Sequence, residues 1–142
     1  MPTEHSNTPQ SVSFTGIQSK DVPIIWGSVS SFIERGMDEG ESLERILKQI
    51  LEAKAQLWVI YDDETIIGAF VSEIINLPTR KVFNIFSIGG SRIDEWIHLL
   101  DRVEAGARER GCKAMRHSNI RKGFTKLLNG YRVTQVTVEK EL

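Results

Sequence analysis

The run Ile88-Gly89-Gly90-Ser91-Arg92 is the first place in this chain where residue types and spacing suggest chemistry. A strand that passes through a glycine turn into a helix start leaves backbone N–H groups unpaired, and with the positive end of the helix dipole they converge on a spot that suits an anion. The plainer readings are a tight turn and, in Ser91-x-x-Asp94, a capping box whose side chains occupy the same amides. Asp94 would also repel an anion through the field that attracts it. A second cluster, Gly123-Phe124 with Arg121, Lys122 and Lys126, is either a basic-aromatic patch beside a cleft or one solvated helix face.

Other reactive side chains are isolated. His5, His98 and His117 show no ligand spacing, which gives metal binding little support. The single cysteine, Cys112, directly follows Gly111 at the start of an expected strand and reads as a buried, inert thiol. Trp26, Trp58 and Trp96 sit among apolar neighbours and read as core.

The elements that must position these residues follow from composition and periodicity. The chain of 142 residues is 40% apolar and 26% charged, enough for one compact domain. Its net charge of -1, with Lys and Arg dispersed, argues against nucleic acid as a partner. No apolar window is long enough to span a bilayer and no secretory leader is evident, so a cytoplasmic chain without membrane contact is expected. Residues 1–10 hold two prolines and no apolar residue after Met1 and read as a flexible tail, leaving 11–142 as the domain.

Ser11 to Gln18 suits a short edge strand. A helix enters at Asp21-Val22-Pro23 and ends at Gly36, and a second carries Leu43, Ile46, Leu47, Ile50 and Leu51 on one face. Leu57 to Tyr61 and Thr65 to Ile75 form a hairpin rich in β-branched residues. Lys81 to Ile88 is apolar on both faces and should be a central strand covered on both sides. A long helix, Arg92 to Arg110, stops at Gly111. A strand over Lys113 to His117, a short helix over Arg121 to Leu128, and a last strand over Tyr131 to Val138 with a bulge between Val133 and Val136 complete the pattern.

This succession over residues 11–142 resembles the GNAT acetyltransferase superfamily. The resemblance is carried by the hairpin with Ile66-Ile67-Gly68-Ala69 on its second arm and by Leu99-Leu100 followed by Val103 to Cys112. Asn119 and Leu127-Leu128-Asn129-Gly130-Tyr131, a closing "Asn, short helix, Gly-aromatic" segment, complete it. It implies an α/β fold with a mixed, mostly antiparallel sheet and helices on both faces. It also implies acetyl-coenzyme A between the fourth and fifth strands, an amine acceptor, and backbone amides from Phe86 through Ser87 to Ile88 that polarise the thioester carbonyl.

In the superfamily the pyrophosphate is held by an Arg/Gln-x-x-Gly-x-Gly/Ala loop. Counting back from Leu99-Leu100, its two small residues fall on Asp94 and Trp96. Gly89, Gly90, Ser91 and Arg92 could form a shifted cradle, with Arg92 contacting a phosphate, while Asn119 and Phe124 line the cleft. Lys126 stands where the superfamily commonly has a tyrosine that protonates the leaving thiolate. Lys81 to Ile88 contains no carboxylate, which leaves Glu73 as the nearest general-base candidate, against an exposed, solvated Glu73.

Asp94, Trp96 and Lys126 also favour a second expectation: a GNAT-derived structural or assembly protein that has lost its cofactor and contacts copies of itself or other proteins. Divergent GNAT-like proteins encoded in bacteriophage genomes, some near virion genes, show a similar pattern, which would put the chain in a host cytoplasm or a virion.

Overall fold

The computed structural model describes residues 11–118 and 122–142. The expected tail, residues 1–10, lies outside the described residues, as do Asn119 and Arg121. Strands β1 (Val12–Ile17), β2 (Gln56–Asp62), β3 (Thr65–Asn76), β4 (Lys81–Gly90) and β5 (Ala114–His117) form one sheet in the order β1-β2-β3-β4-β5. All neighbours are antiparallel except β4 and β5, which run parallel.

Helices α1 (Val22–Arg35) and α2 (Leu43–Leu51) cover one face, where Val29, Ile33, Ile46 and Ile50 pack on Leu57, Val59, Ala69 and Val71. The short helix α3 (Ile93–Trp96) and helix α4 (Leu100–Glu109) cover the other, with Trp96, Leu100, Val103 and Ala107 on Ile60, Phe70, Phe83 and Ile85. The two-residue alternation of a strand sends Leu57 and Val59 to one core and Trp58 and Ile60 to the other. The fold is therefore the mixed, mostly antiparallel α/β sheet with helices on both faces that the sequence leads one to expect.

Local chemistry explains most helix ends. Ser42 caps α2, its Oγ accepting from the Arg45 N–H at 3.1 Å. Asp21 precedes α1 without a side-chain cap, and Pro23 tolerates the first turn. Gly111, at φ +86°, follows α4 in the left-handed region that a glycine enters without strain. Gly36 ends α1 for another reason: a Cβ there would lie 2.3 Å from the Ile88 carbonyl oxygen.

The structure corrects five expectations. The helix expected over Arg92 to Arg110 is broken: α3 ends at Trp96, a 3-10 turn covers Ile97–Leu99, and only then does α4 begin. Trp96 is fully buried and its Nε1 donates to the Ser91 carbonyl at 2.8 Å, an anchor that takes the backbone to φ -128° and out of the helix. Gly89 and Gly90 are no turn; they extend β4 and pair with Ala69 and Gly68.

The capping box is not made either. Arg92 occupies the N-cap without a side-chain bond, and the Ser91 hydroxyl donates to the Ile67 carbonyl at 3.4 Å. Finally, the last strand is absent. Residues 128–142 belong to no helix or strand, and Val133, Val136 and Val138 are exposed. A strand needs a partner ladder, and among the described residues the segment finds none. The expected short helix before it is a 3-10 turn, Lys122–Leu127.

Candidate functional site

The site is built where β4 and β5 part. Their ladder runs from Val82↔Ala114 to Ile85↔His117, and the Ser118 N–H donates to the Ile85 carbonyl at 3.0 Å. Beyond that point Phe86 to Gly90 of β4 have no β5 partner among the described residues. The parting coincides with a bulge: Val71 faces Ser87 and Ser72 faces Ile85, so Phe86 has no partner on β3. A bulge at a strand parting turns backbone groups away from the regular ladder, and bulges concentrate at such sites.

Past the bulge lies a cavity of about 290 Å³ lined by Arg35, Ile88, Gly89, Gly90, Ile93, Gly123, Phe124 and Leu127. It is mostly apolar, with one guanidinium among the described residues, that of Arg35, lying 5.0 Å above the Phe32 ring. Gly89 and Gly90 are small because backbone crowds them. An added Cβ would meet the Phe32 carbonyl at 2.4 Å or the Ile67 carbonyl at 2.6 Å. The structure thus gathers Ile88, Gly89, Gly90 and Phe124 around one cavity and adds Arg35, Ile93 and Leu127, none of which its sequence context marks as a site residue.

The other residues considered from the sequence lie elsewhere. Phe86 packs into the α1/α2 core, and Ser87 is buried with its hydroxyl donating to the Ile33 carbonyl at 2.9 Å. The Ser91 N–H is taken by the Ile67 carbonyl at 2.8 Å. Arg92, in the left-handed region at φ 57°, donates to Asp62 at 2.7 Å and to Glu95 at 2.8 and 2.5 Å. The Ser11 hydroxyl and Arg92 hold the Asp62 carboxyl below its ordinary range, and Arg92 does the same for Glu95.

These contacts test the fit of acetyl-coenzyme A. A pantetheine arm, narrow and only weakly polar, suits the cavity and the unpartnered stretch of β4. A diphosphate does not suit Gly89 to Arg92, because the arginine is saturated by two carboxylates and the one-turn α3 carries Asp94 and Glu95 in its first turn. Asn119 lies outside the described residues, and Lys126 is exposed.

Glu73 faces Asn84 across the β3–β4 ladder, on the side of the bulge away from Gly90. The buried Asn84 amide donates to the Glu73 carboxylate at 2.9 Å and to the Ser118 hydroxyl at 3.0 Å, tying three strand segments together at the parting. Its Oδ1 is buried and has no hydrogen-bond partner among the described residues. Sequence reasoning passed over Asn84, although a lone amide in a strand apolar on both faces was itself a signal.

His117 closes β5 with its ring 5.1 Å from that of Tyr131 and 6.1 Å from that of Phe124. Both ring nitrogens are buried without partners among the described residues, and burial pushes its pKa down to about 4. Tyr131 donates its hydroxyl to Glu104 at 2.7 Å. Burial, and then that carboxylate, hold the phenol above its usual range.

A pH effect follows from His117. Its folded pKa lies below the unfolded value of 6.5, so above pH 6.5 both states are neutral and folding loses nothing. As pH falls toward 4, only the unfolded chain takes the proton. Stability is expected to drop by about 2 kcal/mol between pH 7 and pH 5. Urea titrations at the two pH values, compared with His117→Gln, would show it, and an NMR titration placing the imidazole pKa near 6.5 would sink the idea.

Among the described residues no group of three or more His, Cys, Asp or Glu is placed to hold a metal ion, and no described helix is long and apolar enough to cross a membrane. No protein-family model matches the sequence, and no curated protein is significantly similar to it. Solved structures are similar in shape. An aminoglycoside acetyltransferase from an uncultured soil metagenomic sample, in complex with sisomicin, superposes with a TM-score of 0.67 at 12% identity, covering 98% of this chain and 99% of that one. A GNAT family acetyltransferase of Staphylococcus aureus gives 0.63 at 14% identity, covering 94% and 100%. A predicted acetyltransferase of Clostridium acetobutylicum, solved with acetyl-CoA, gives 0.61 at 15% identity, covering 92% and 96%. The chain has the GNAT acetyltransferase fold.

Proposed function

We propose that this GNAT-fold chain transfers an acetyl group from acetyl-coenzyme A to an amine, gripping the acyl-pantetheine arm and leaving the diphosphate to solvent. The observation that carries this reading is the parting of β4 and β5 at the Phe86 bulge, with the cavity directly beyond it. A fold hosts activity only through its site, and that opening is the part of the site this chain retains.

Acetyl-coenzyme A supplies an acetyl group activated as a thioester. Ile88, Gly89, Gly90 and Phe124 hold the arm, and Arg35 stands at the cavity wall where Arg92 is unavailable. Backbone N–H groups between Phe86 and Ile88 act as oxyanion donors. Glu73 accepts the proton of the acceptor amine as the C–N bond forms and the C–S bond breaks, coenzyme A leaving as the thiolate and taking a proton from solvent, and Asn84 fixes the carboxylate through the 2.9 Å bond.

Calorimetric titration with acetyl-CoA and with S-acetyl-pantetheine tests this. The two are expected to bind within about tenfold of each other, a difference of about 1.4 kcal/mol at most, and Arg92→Ala should leave both affinities unchanged. Glu73→Gln is expected to cut kcat by about 100-fold or more with thioester affinity intact. A hundredfold preference for acetyl-CoA that vanishes in Arg92→Ala would overturn the reading.

A second reading rests on Arg92, whose two ion pairs close the usual anion site: a structural or assembly protein that consumes no thioester. Absence of binding heat at millimolar acetyl-CoA and millimolar S-acetyl-pantetheine would favour it.

A further inference from the structure

We infer that the acceptor is an amine that carries its own carboxylate, a free amino acid, with its ammonium group on Glu73 and Asn84 and its carboxylate on Arg116. The inference rests on the acetyl transfer proposed above and names the acceptor class for it. Its first support is a polar row that crosses three strands. Glu73 of β3 faces Asn84 of β4, and Asn84 faces Arg116 of β5. Phe83 and Ile85, on either side of Asn84, pack in the α3/α4 core, as does Met115 beside Arg116. Strand alternation therefore sends Asn84 and Arg116 to the face that α1 and α2 cover, and the Asn84–Glu73 bond brings the carboxylate to the same face.

The second support is a buried acceptor with nothing to accept. Asn84 is 3% exposed. Its amide nitrogen is used twice, by Glu73 and Ser118, and its Oδ1 has no donor among the described residues. A buried oxygen left this way costs stability, and an ammonium group lying against Glu73 supplies the missing donor. An acceptor amine uses both oxygens: the carboxylate takes a proton, and the amide holds the hydrogen that stays.

The third is charge. The outer members of the row stand two strand spacings apart, about 10 Å between Cα atoms. Among the described residues neither Glu73 nor Arg116 takes part in an ion pair. Arg116 is half-buried, and its planar fork matches a carboxylate. An amino acid laid along the row completes both ends and leaves two charges of each sign. A phosphorylated amine would bring a second negative charge toward Glu73 that one guanidinium does not balance.

The row also stands where the reaction needs it. Asn84 is two residues, about 7 Å, before Phe86 and the bulge. The thioester arm lies in the cavity beyond the bulge, and the acceptor comes from the row before it. The bound ammonium sheds one proton to solvent and becomes the nucleophile. A second proton passes to Glu73 as the C–N bond to the acetyl carbon forms and the C–S bond breaks, and the thiolate takes a proton from solvent. Arg116 touches only the carboxylate, so it sets affinity and choice of acceptor rather than the chemical step.

Thiol release from acetyl-CoA by the full chain tests this with two pairs of acceptors that differ only in the carboxylate: L-leucine against 3-methylbutylamine, and L-serine against ethanolamine. Each amino acid is expected to exceed its partner by about 100-fold or more in kcat/KM. Arg116→Gln should raise KM for the amino acids by about 100-fold with kcat within about threefold, which collapses the preference. Arg116→Lys should recover about tenfold of it, since the charge stays and the fork is lost. Far-ultraviolet circular dichroism checks that both variants keep the fold. Equal use of the paired acceptors, or a preference that survives Arg116→Gln, would overturn the inference and leave acetyl transfer standing. Transfer to none of the four would overturn it too, and the S-acetyl-pantetheine titration then tells whether the thioester reading has fallen with it.

Discussion

Trp96→Ala is expected to destabilise the domain by about 4 kcal/mol, the range for removing a large aromatic side chain from a closed core. Trp96 is fully buried among the residues of the α3/α4 face, and its Nε1 hydrogen bond to Ser91 is what ends α3. The change opens a cavity and orphans the Ser91 carbonyl at once. A thermal midpoint lower by about 10–15 °C should accompany it in a chain of this size. Trp96→Phe keeps most of the volume and loses only the bond, so about half the effect is expected. Urea unfolding followed by circular dichroism would separate the three proteins. A loss under about 1 kcal/mol for the alanine variant would show that another residue sets the break.

Gly36→Ala should cost about 3 kcal/mol although it adds one methyl group, because overpacking against backbone cannot be relieved by a rotamer change. The new Cβ would sit 2.3 Å from the Ile88 oxygen and 2.6 Å from its carbonyl carbon, and neither can yield without moving β4. Gly89→Ala strikes the same approach from the other side, at the Phe32 carbonyl. The double variant should therefore cost less than the sum of the two, since one separation of α1 from β4 relieves both. Gly27→Ala is the internal control. It lies in the same helix with nothing within 4 Å of the new Cβ, and should stabilise by up to about 1 kcal/mol. If Gly36→Ala and Gly27→Ala behaved alike in thermal unfolding, close approach would not be the reason for Gly36.

The layered fold was legible wherever one physical rule governed a segment. Ile46 and Ile50 at helical spacing marked the buried face of α2, and the apolar run of β4 told of cover on both sides. The misreadings arose where a distant partner decided the local structure. Nothing within Arg92 to Arg110 shows that Trp96 will bond back to Ser91 and interrupt the helix. Gly-Gly has the same local signature in a turn as in a strand lying against a helix end, and only Phe32 and Gly36, more than fifty residues earlier, distinguish the two. The alternation of Val136 and Val138 predicts a strand, but periodicity does not say where the ladder is, and the segment stands outside every strand of the sheet.

The site was legible in part for the same reason. Gly89, Gly90 and Phe124 were singled out and line one cavity, yet the sequence assigned Arg92 to an anion when Asp62, thirty positions earlier, was waiting for it. The stretch Phe86 to Ile88 attracted notice as backbone, and the bulge that turns it out of the ladder was invisible because a register shift is a property of two strands.

The contact between Gly36 and the backbone of β4 also governs how the molecule can move. With carbonyl groups of α1 and β4 packed against each other's Cα atoms, the end of α1 and the floor of the cavity form one rigid wall, and sliding the helix would drive backbone into backbone. The opposite wall is the 3-10 turn Lys122–Leu127, with exposed residues on either side of Phe124 and no counterpart to that glycine contact. Any widening of the cleft to admit or release a molecule must therefore swing on the C-terminal side, so that exchange through the cleft proceeds at the pace of that one turn.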